Sequence, residues 1–175
     1  MTVSAPHQPQ LITRNEHAVE VVSDSGEGAQ KCGQAFGAVS AKMGNGAWTV
    51  EIIPAEIQPP ARTPGSASGC RVRIGVDEVT NWGDESNLVL AFNEQVLLAR
   101  HRVGALADDA VILLESFWAT HPSPAIVKEW NDAMEELGTR SYRIILVPME
   151  EQCLTVVDNA RRGKNMFGLG MLAWI

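Results

Sequence analysis

The amino-acid sequence predicts an α/β fold with three layers, in which a largely parallel central sheet is flanked by helices. Short apolar runs such as "AVEVVS" and "AVILLE" alternate with longer helix-like stretches along the chain. This is the pattern that strands joined by helical crossovers produce. The length of 175 residues and the apolar content of 45% suit one domain with a complete core.

The first half of the chain contains five predicted elements. The apolar run over 18–23 is predicted as a strand, and 28–44, rich in small residues and ended by Gly-Asn-Gly, as a helix. Alternating apolar residues predict a strand over 47–53. Residues 54–69 carry four prolines and are predicted as a long loop. Residues 70–75 alternate again and are predicted as a strand with one polar face.

The second half continues the alternation. Apolar runs predict strands over 87–93, 110–115 and 142–149. A short helix is expected over 94–104. A longer helix is expected over 123–138, because a serine N-cap, a proline in the first turn and a final glycine mark its boundaries.

The two ends of the chain differ in character. Residues 1–16 are polar and contain proline, without the basic start and apolar stretch of a signal peptide. We therefore expect a flexible arm over 1–16 and a single domain over 17–175. The C-terminal stretch from Cys153 is expected to be helical and broken around Gly163.

Composition excludes several classes of function. A net charge of -7 argues against general nucleic-acid binding, and no apolar run approaches the ~20 residues of a membrane span. Cys32, Cys70 and Cys153 are odd in number and far apart, which predicts neither a disulfide framework nor a zinc or iron–sulfur site. A cytoplasmic location is the simplest expectation.

The stretch "SDSGEGAQKCG", residues 23–33, places glycines between a predicted strand and a predicted helix. Its spacing fits neither the dinucleotide fingerprint nor a P-loop. One interpretation is a tight connection; the other is a ligand-binding turn, in which Gly28 permits close approach and the free N–H groups of the helix favour an anion. Asp24 and Glu27 oppose a phosphate, so an amide or a neighbouring subunit remains an alternative.

Two further segments are candidates for function. The loop over 54–69 is long and proline-rich, and long loops in compact domains tend to be functional. Its Glu56 is either a general base or a solvated side chain. The segment "ARRGKN", residues 160–165, is a basic patch that suits a helix end, an anion or an acidic partner. Catalytic machinery of a known pattern is not visible in the sequence.

Three segments together resemble the gamma domain of 2-oxoacid:ferredoxin oxidoreductases, most closely the 2-oxoglutarate type. The family's Gly-Asp-Ser-Gly-Asp/Glu-Gly turn is matched by Ser23–Gly28. Its Pro-Ala-Glu-Ile-Arg-x-Pro-x-Gly-Thr loop is matched by Pro54–Thr63, and its Lys-Asn-Met-Phe-x-Leu-Gly segment by Lys164–Gly170. The similarity extends over about 17–175 and implies a Rossmann-like fold.

The resemblance implies a role in the oxidative decarboxylation of a 2-oxoacid to an acyl-CoA, with electrons passing to ferredoxin or another acceptor. The gamma domain would help to bind coenzyme A and cover the active site. Thiamine diphosphate, Mg and iron–sulfur clusters would lie on alpha and beta subunits, with a delta or ferredoxin-like subunit as a further partner. The isolated chain would be inactive.

Site residues follow from the matched motifs. Glu56 and Arg62 are candidates for a catalytic role, and Arg62 could bind a substrate carboxylate. The expected contacts to coenzyme A or a partner are Ser25, Gly26, Glu27, Gly28, Gln30, Thr63, Ser66, Lys164 and Asn165, with Arg161 and Arg162 adding positive charge.

The chain also departs from the family pattern. Ser23 replaces a glycine, Gln58 an arginine, and Arg62 a glycine, which leaves the substrate open. The chain is either a separate subunit or a fragment of a longer one. Two alternatives stay open: a non-catalytic assembly subunit, and an unrelated nucleotide-binding α/β domain.

Overall fold

The computed structural model of the chain describes residues 13–160 and 163–175. Within them a six-stranded sheet has the strand order β2-β3-β1-β4-β5-β6. The strands are β1 (Glu16–Asp24), β2 (Gly46–Ile52), β3 (Ala67–Gly75), β4 (Ser86–Ala91), β5 (Leu106–Glu115) and β6 (Arg143–Val147). The helices are α1 (Ala29–Lys42), α2 (Glu94–Arg102), α3 (Pro124–Leu137), α4 (Met149–Leu154) and α5 (Lys164–Trp174).

The sheet is largely parallel, as the alternation of strands and helices predicts. β1, β4, β5 and β6 pair in parallel. β3 runs antiparallel to both of its neighbours, β1 and β2. The carboxyl ends of the four parallel strands therefore lie along one edge of the sheet, which we call the carboxyl edge.

Two apolar cores cover the two faces of the sheet. On one face α1 and α5 pack on side chains such as Val21 and Leu90. On the other face α2 and α3 pack on Val22 and Ile112. Neighbouring residues of one strand point to opposite faces, so buried strands need apolar side chains at nearly every position. This explains the continuous apolar runs in the sequence.

Several boundaries differ from the sequence expectation. The long loop does not extend to residue 69, because Pro64–Ser66 form a 3-10 turn and β3 begins at Ala67. β5 begins at Leu106, four residues before the predicted start. β1 begins at Glu16, which lies inside the expected arm of residues 1–16. Residues 1–12 of that arm lie outside the described residues.

A buried ion cluster stabilises the centre of the sheet on the α2 face. The carboxylate of Glu20 is fully buried and accepts hydrogen bonds from Arg71 Nε at 2.9 Å and Arg100 Nε at 2.6 Å. The Ser86 hydroxyl donates to the same carboxylate at 3.1 Å. Arg71 also donates to the Ala105 carbonyl at 3.0 Å. The cluster connects β1, β3, β4 and α2 far from the carboxyl edge.

Candidate functional site

At the carboxyl edge, β1 and β4 form a topological switch point, because the helices that follow them pack on opposite faces of the sheet. α1 follows β1 on one face, and α2 follows β4 on the other. In open α/β sheets a switch point of this kind is the usual place for a ligand. Asn93, the N-cap of α2, spans it by donating from Nδ2 to Asp24 Oδ2 at 3.1 Å.

Asp24, the last residue of β1, is the centre of the site. Its two carboxylate oxygens accept the backbone N–H of Arg62 at 2.9 and 3.0 Å. The Ser66 hydroxyl also donates to this carboxylate. Asp24 is buried, and its charge is compensated by these donors. The sequence motifs at 23–28 and 54–63 therefore meet at one carboxylate.

The glycine turn is held from one side and open on the other. The Ser25 N–H donates to the Ser66 carbonyl at 3.0 Å, while the Ser25 side chain is exposed. Gly26 has a φ of 90°, and a Cβ there would meet open space. Gly28 has a φ of 87°, and a Cβ there would lie 2.6 Å from Asn165 Nδ2. The close approach that Gly28 permits is thus to the same chain.

The third motif joins the site through Lys164. Its Nζ donates to Glu27 Oε1 at 3.1 Å and lies 5.1 Å from the centroid of the Phe92 ring. Burial raises the pKa of Glu27, an effect that the positive charge of Lys164 partly opposes. Lys164 is itself buried, so it is not part of an exposed basic patch as the sequence suggested. Arg161 and Arg162 lie outside the described residues.

Arg62 is directed inward. Its guanidinium donates to both oxygens of Glu94, one of them at 3.0 Å from Nη1, and to Glu129 Oε2 at 3.2 Å. It also lies over the Trp118 ring, 4.4 Å from the centroid. The expectation that Arg62 offers free donors to a substrate carboxylate is therefore not what the geometry shows.

The remaining predicted residues have simpler surroundings. Glu56 is exposed at the tip of the loop, and the described residues give it no hydrogen bond or ion pair. The Gln30 amide donates to the Ile52 carbonyl at 3.2 Å, which fastens α1 to the end of β2. The Thr63 hydroxyl donates to the Pro60 carbonyl at 2.8 Å within the loop.

Sequence reasoning missed the polar groups that follow the other parallel strands. Asn93 and Glu94 come soon after β4, and Glu115 is the last residue of β5. The Glu115 carboxylate accepts the backbone N–H groups of Phe117 at 3.0 Å and Glu150 at 2.9 Å, and burial raises its pKa. Polar residues at the ends of buried apolar runs were the available signal.

The described residues offer no group of His, Cys, Asp or Glu side chains arranged to hold a metal ion. Burial raises the pKa of the Cys32 thiol to about 12 and that of Cys70 to about 11. Both thiols are therefore neutral at physiological pH and are poor metal ligands. Over the described ranges no helix has the length and apolar character needed to cross a membrane.

Residues 19–175 match the protein family described as pyruvate ferredoxin/flavodoxin oxidoreductase. The chain belongs to this family. The resemblance to 2-oxoacid:ferredoxin oxidoreductases seen in the three sequence motifs is thereby confirmed at the level of the family.

This chain has a curated relative in Mycobacterium tuberculosis, "2-oxoglutarate oxidoreductase subunit KorA". The two are 28% identical over 164 residues, which is 90% of this chain and 25% of KorA. The chain thus spans about a quarter of the length of that relative.

Three solved structures share the fold at 20% identity or less. A 2-oxoglutarate:ferredoxin oxidoreductase from Magnetococcus marinus, with 2-oxoglutarate, coenzyme A and succinyl-CoA bound, matches with a TM-score of 0.65 at 20% identity, over 92% of this chain and 24% of that one. The gamma subunit of a keto/oxoacid ferredoxin oxidoreductase from Geobacter sulfurreducens gives 0.61 at 16%, over 91% and 75%. Pyruvate oxidoreductase subunit PORC from Thermotoga maritima gives 0.57 at 17%, over 91% and 76%.

Proposed function

We propose that this domain is the gamma component of a 2-oxoacid oxidoreductase that produces acyl-CoA, and that its carboxyl edge binds coenzyme A and covers the reacting centre. Alpha and beta subunits, and a delta or ferredoxin-like subunit, would carry thiamine diphosphate, Mg and the iron–sulfur clusters. Those cofactors supply the carbanion chemistry and accept the electrons. The isolated chain would be inactive.

The observation that carries this proposal is the meeting of three sequence motifs at the switch point between β1 and β4. The glycine turn, the proline loop and the start of α5 are far apart in the sequence. They join through Asp24–Arg62, Glu27–Lys164 and the Gly28 contact with α5. These are also the segments that resemble the gamma domain, and they meet where α/β sheets usually bind ligands.

The charges at this switch point are compatible with an anionic ligand. Asp24 and Glu27 oppose a phosphate on sequence grounds, but in the structure both carboxylates are engaged by donors of this chain. The exposed side of the turn, at Ser25 and Gly26, leads directly into α1. The first N–H groups of that helix lack partners within it and favour negative charge. We assign the coenzyme A phosphates to this side.

The exposed tip of the proline loop is the part that remains free for a partner chain or substrate. Glu56 and Gln58 are exposed there, and we retain Glu56 as the candidate for an acid–base or substrate contact. Between them lies Ile57, whose side chain is fully exposed, and Ile53 is 73% exposed. Exposed isoleucines favour the second candidate function, in which the loop docks onto another subunit without contacting the reactants.

Two substitutions separate these functions in the assembled enzyme. Ser25→Asp adds negative charge beside the proposed phosphate site and should raise the Kd for coenzyme A about tenfold, or about 1.4 kcal/mol. The matched control is Ser141→Asp, an exposed serine just before β6 at the opposite edge. Ile57→Asp should weaken subunit association instead. An unchanged Kd in Ser25→Asp would contradict coenzyme A binding at the turn.

A further inference from the structure

Arg62 adopts a backbone conformation that is unusual for its residue type. Its φ is 57°, and among the described residues it is the non-glycine residue with a positive φ. The family pattern has glycine at this position, which is the residue that tolerates such a φ. A bulky residue keeps a left-handed conformation only when its surroundings impose it.

The surroundings of Arg62 impose that conformation from four sides. Its backbone N–H is bound by the Asp24 carboxylate at the end of β1. Its guanidinium forms a two-bond pair with Glu94 at the start of α2 and a further bond with Glu129 on α3. It stacks on Trp118, whose indole N–H donates to the Phe92 carbonyl at 2.8 Å.

Of the two ion pairs that Arg62 forms within the described residues, the pair with Glu94 is the buried one. The Glu94 side chain is fully buried and that of Arg62 is 9% exposed. Paired, two-bond contacts of a guanidinium with a carboxylate fix position as well as charge. Removing the guanidinium leaves a buried carboxylate whose other side-chain contact is the amide of Gln95, at 3.1 Å.

The other hydrogen bonds that the described residues give this loop lie close to its base. The Ala55 N–H donates to the Gly65 carbonyl at 3.0 Å, and Thr63 bonds to Pro60. Glu56, Ile57 and Gln58 are exposed. Arg62 is therefore the residue that connects this loop to β1, α2 and α3.

We propose that Arg62 is a positioning residue that holds the proline loop, residues 54–63, in one place over the carboxyl edge. It acts through Asp24 and Glu94 and does not contact the substrate. For catalysis this rests on the proposed function, because the loop matters to the reaction only if the carboxyl edge is part of the active site.

The first test measures hydrogen exchange in the full chain with Arg62→Gly. Glycine keeps the backbone N–H and tolerates the φ of 57°, so only the guanidinium contacts are lost. We expect exchange of the hydrogen-bonded loop amides, those of Ala55, residue 62 and Thr63, to rise tenfold or more, with β1 and β4 unchanged. Arg62→Lys should give an intermediate rise, because lysine keeps the charge without the paired geometry. Arg102→Ala, which breaks the exposed pair with Glu136, is the matched control.

Two outcomes of that test would overturn the proposal. Loop exchange within twofold of the unaltered chain would mean that the prolines and Asp24 suffice to hold the loop. A rise spread evenly over loop and sheet would make Arg62 a general stabilising residue. If Arg62→Gly does not fold, the Lys variant and Glu94→Gln decide by the same criterion.

The second test measures steady-state kinetics in the assembled enzyme. If the loop is correctly placed for only a fraction of the time, the apparent affinity for the substrate is reduced to that fraction of its full value. KM should therefore rise by one common factor for 2-oxoacids with different tails, while kcat at saturation changes less than twofold. If KM rose by different factors for 2-oxoacids with different tails, Arg62 would contact the substrate. If KM stayed unchanged although loop exchange increased, Arg62 would have no positioning role in catalysis. Lack of coenzyme A-dependent activity in the unaltered enzyme would contradict the proposed function, while the exchange result would still stand.

Discussion

The glycine turn offers a matched pair of substitutions. Gly26 and Gly28 both have a φ near 90°, but a Cβ at Gly26 meets open space, whereas one at Gly28 lies 2.6 Å from Asn165 Nδ2 and 3.1 Å from its Cγ. Alanine at either position pays a backbone penalty of about 1–2 kcal/mol. Overpacking against Asn165 adds about 1–3 kcal/mol, toward the lower end because that side chain can rotate.

We therefore expect Gly26→Ala to lower the free energy of unfolding by about 1–2 kcal/mol and Gly28→Ala by about 2–4 kcal/mol. In an Asn165→Ala background, the Gly28→Ala loss should shrink to that of Gly26→Ala. Urea denaturation followed by tryptophan fluorescence measures all four variants. Two results would refute a packed contact between the turn and α5: equal losses of unfolding free energy for both glycines, or a Gly28→Ala loss that is as large in the Asn165→Ala background as in the unaltered chain. The contact also means that a larger residue at Gly28 affects folding as well as function.

Three further predictions concern buried groups. Glu20→Gln should lower the free energy of unfolding by about 3–5 kcal/mol, because it leaves the buried Arg71 and the partly buried Arg100 without their carboxylate; Arg102→Ala, at an exposed pair, should change it by less than about 1 kcal/mol. Cys32 and Cys70 should react with Ellman's reagent at pH 8 only after unfolding, because their raised pKa values keep them protonated; fast reaction of more than one of the three thiols in the folded chain would contradict their burial. Burial raises the folded pKa of Glu115 above its unfolded value of 4.5, so its contribution to stability is greatest below pH 4.5 and declines as pH rises through the folded pKa. Glu115→Gln should flatten that decline in a pH series of unfolding free energies.

The order of strands and helices could be predicted from the sequence because each apolar run is buried in one element. The start of β3 could not, since "ASG" at 67–69 has the composition of a loop. The structure explains these small residues: a Cβ at Gly69 would lie 2.1 Å from the Val21 carbonyl oxygen, so the close pairing of β3 with β1 requires glycine. The reversed direction of β3 has no signal in hydrophobic periodicity.

The sequence could predict which segments form the site, but it could not predict the hydrogen bonds and ion pairs that connect them. The three motifs pointed to the turn, the loop and the start of α5, and the structure brings them together. The partners of Arg62 could not be inferred, because Glu94 and Glu129 lie 32 and 67 residues away in sequence. Lys164 looked like part of a solvated basic patch, since sequence shows charge but not the direction of a side chain.

The most direct test of the central claim is purification of the native complex through a tag on this chain, followed by iron analysis, a visible spectrum and assay. We predict co-purifying subunits that carry iron–sulfur absorbance, and oxidation of a 2-oxoacid that depends on coenzyme A and reduces ferredoxin or a substitute acceptor. Recovery of the chain alone, or with partners that lack iron and show no coenzyme A-dependent oxidation, would contradict the claim.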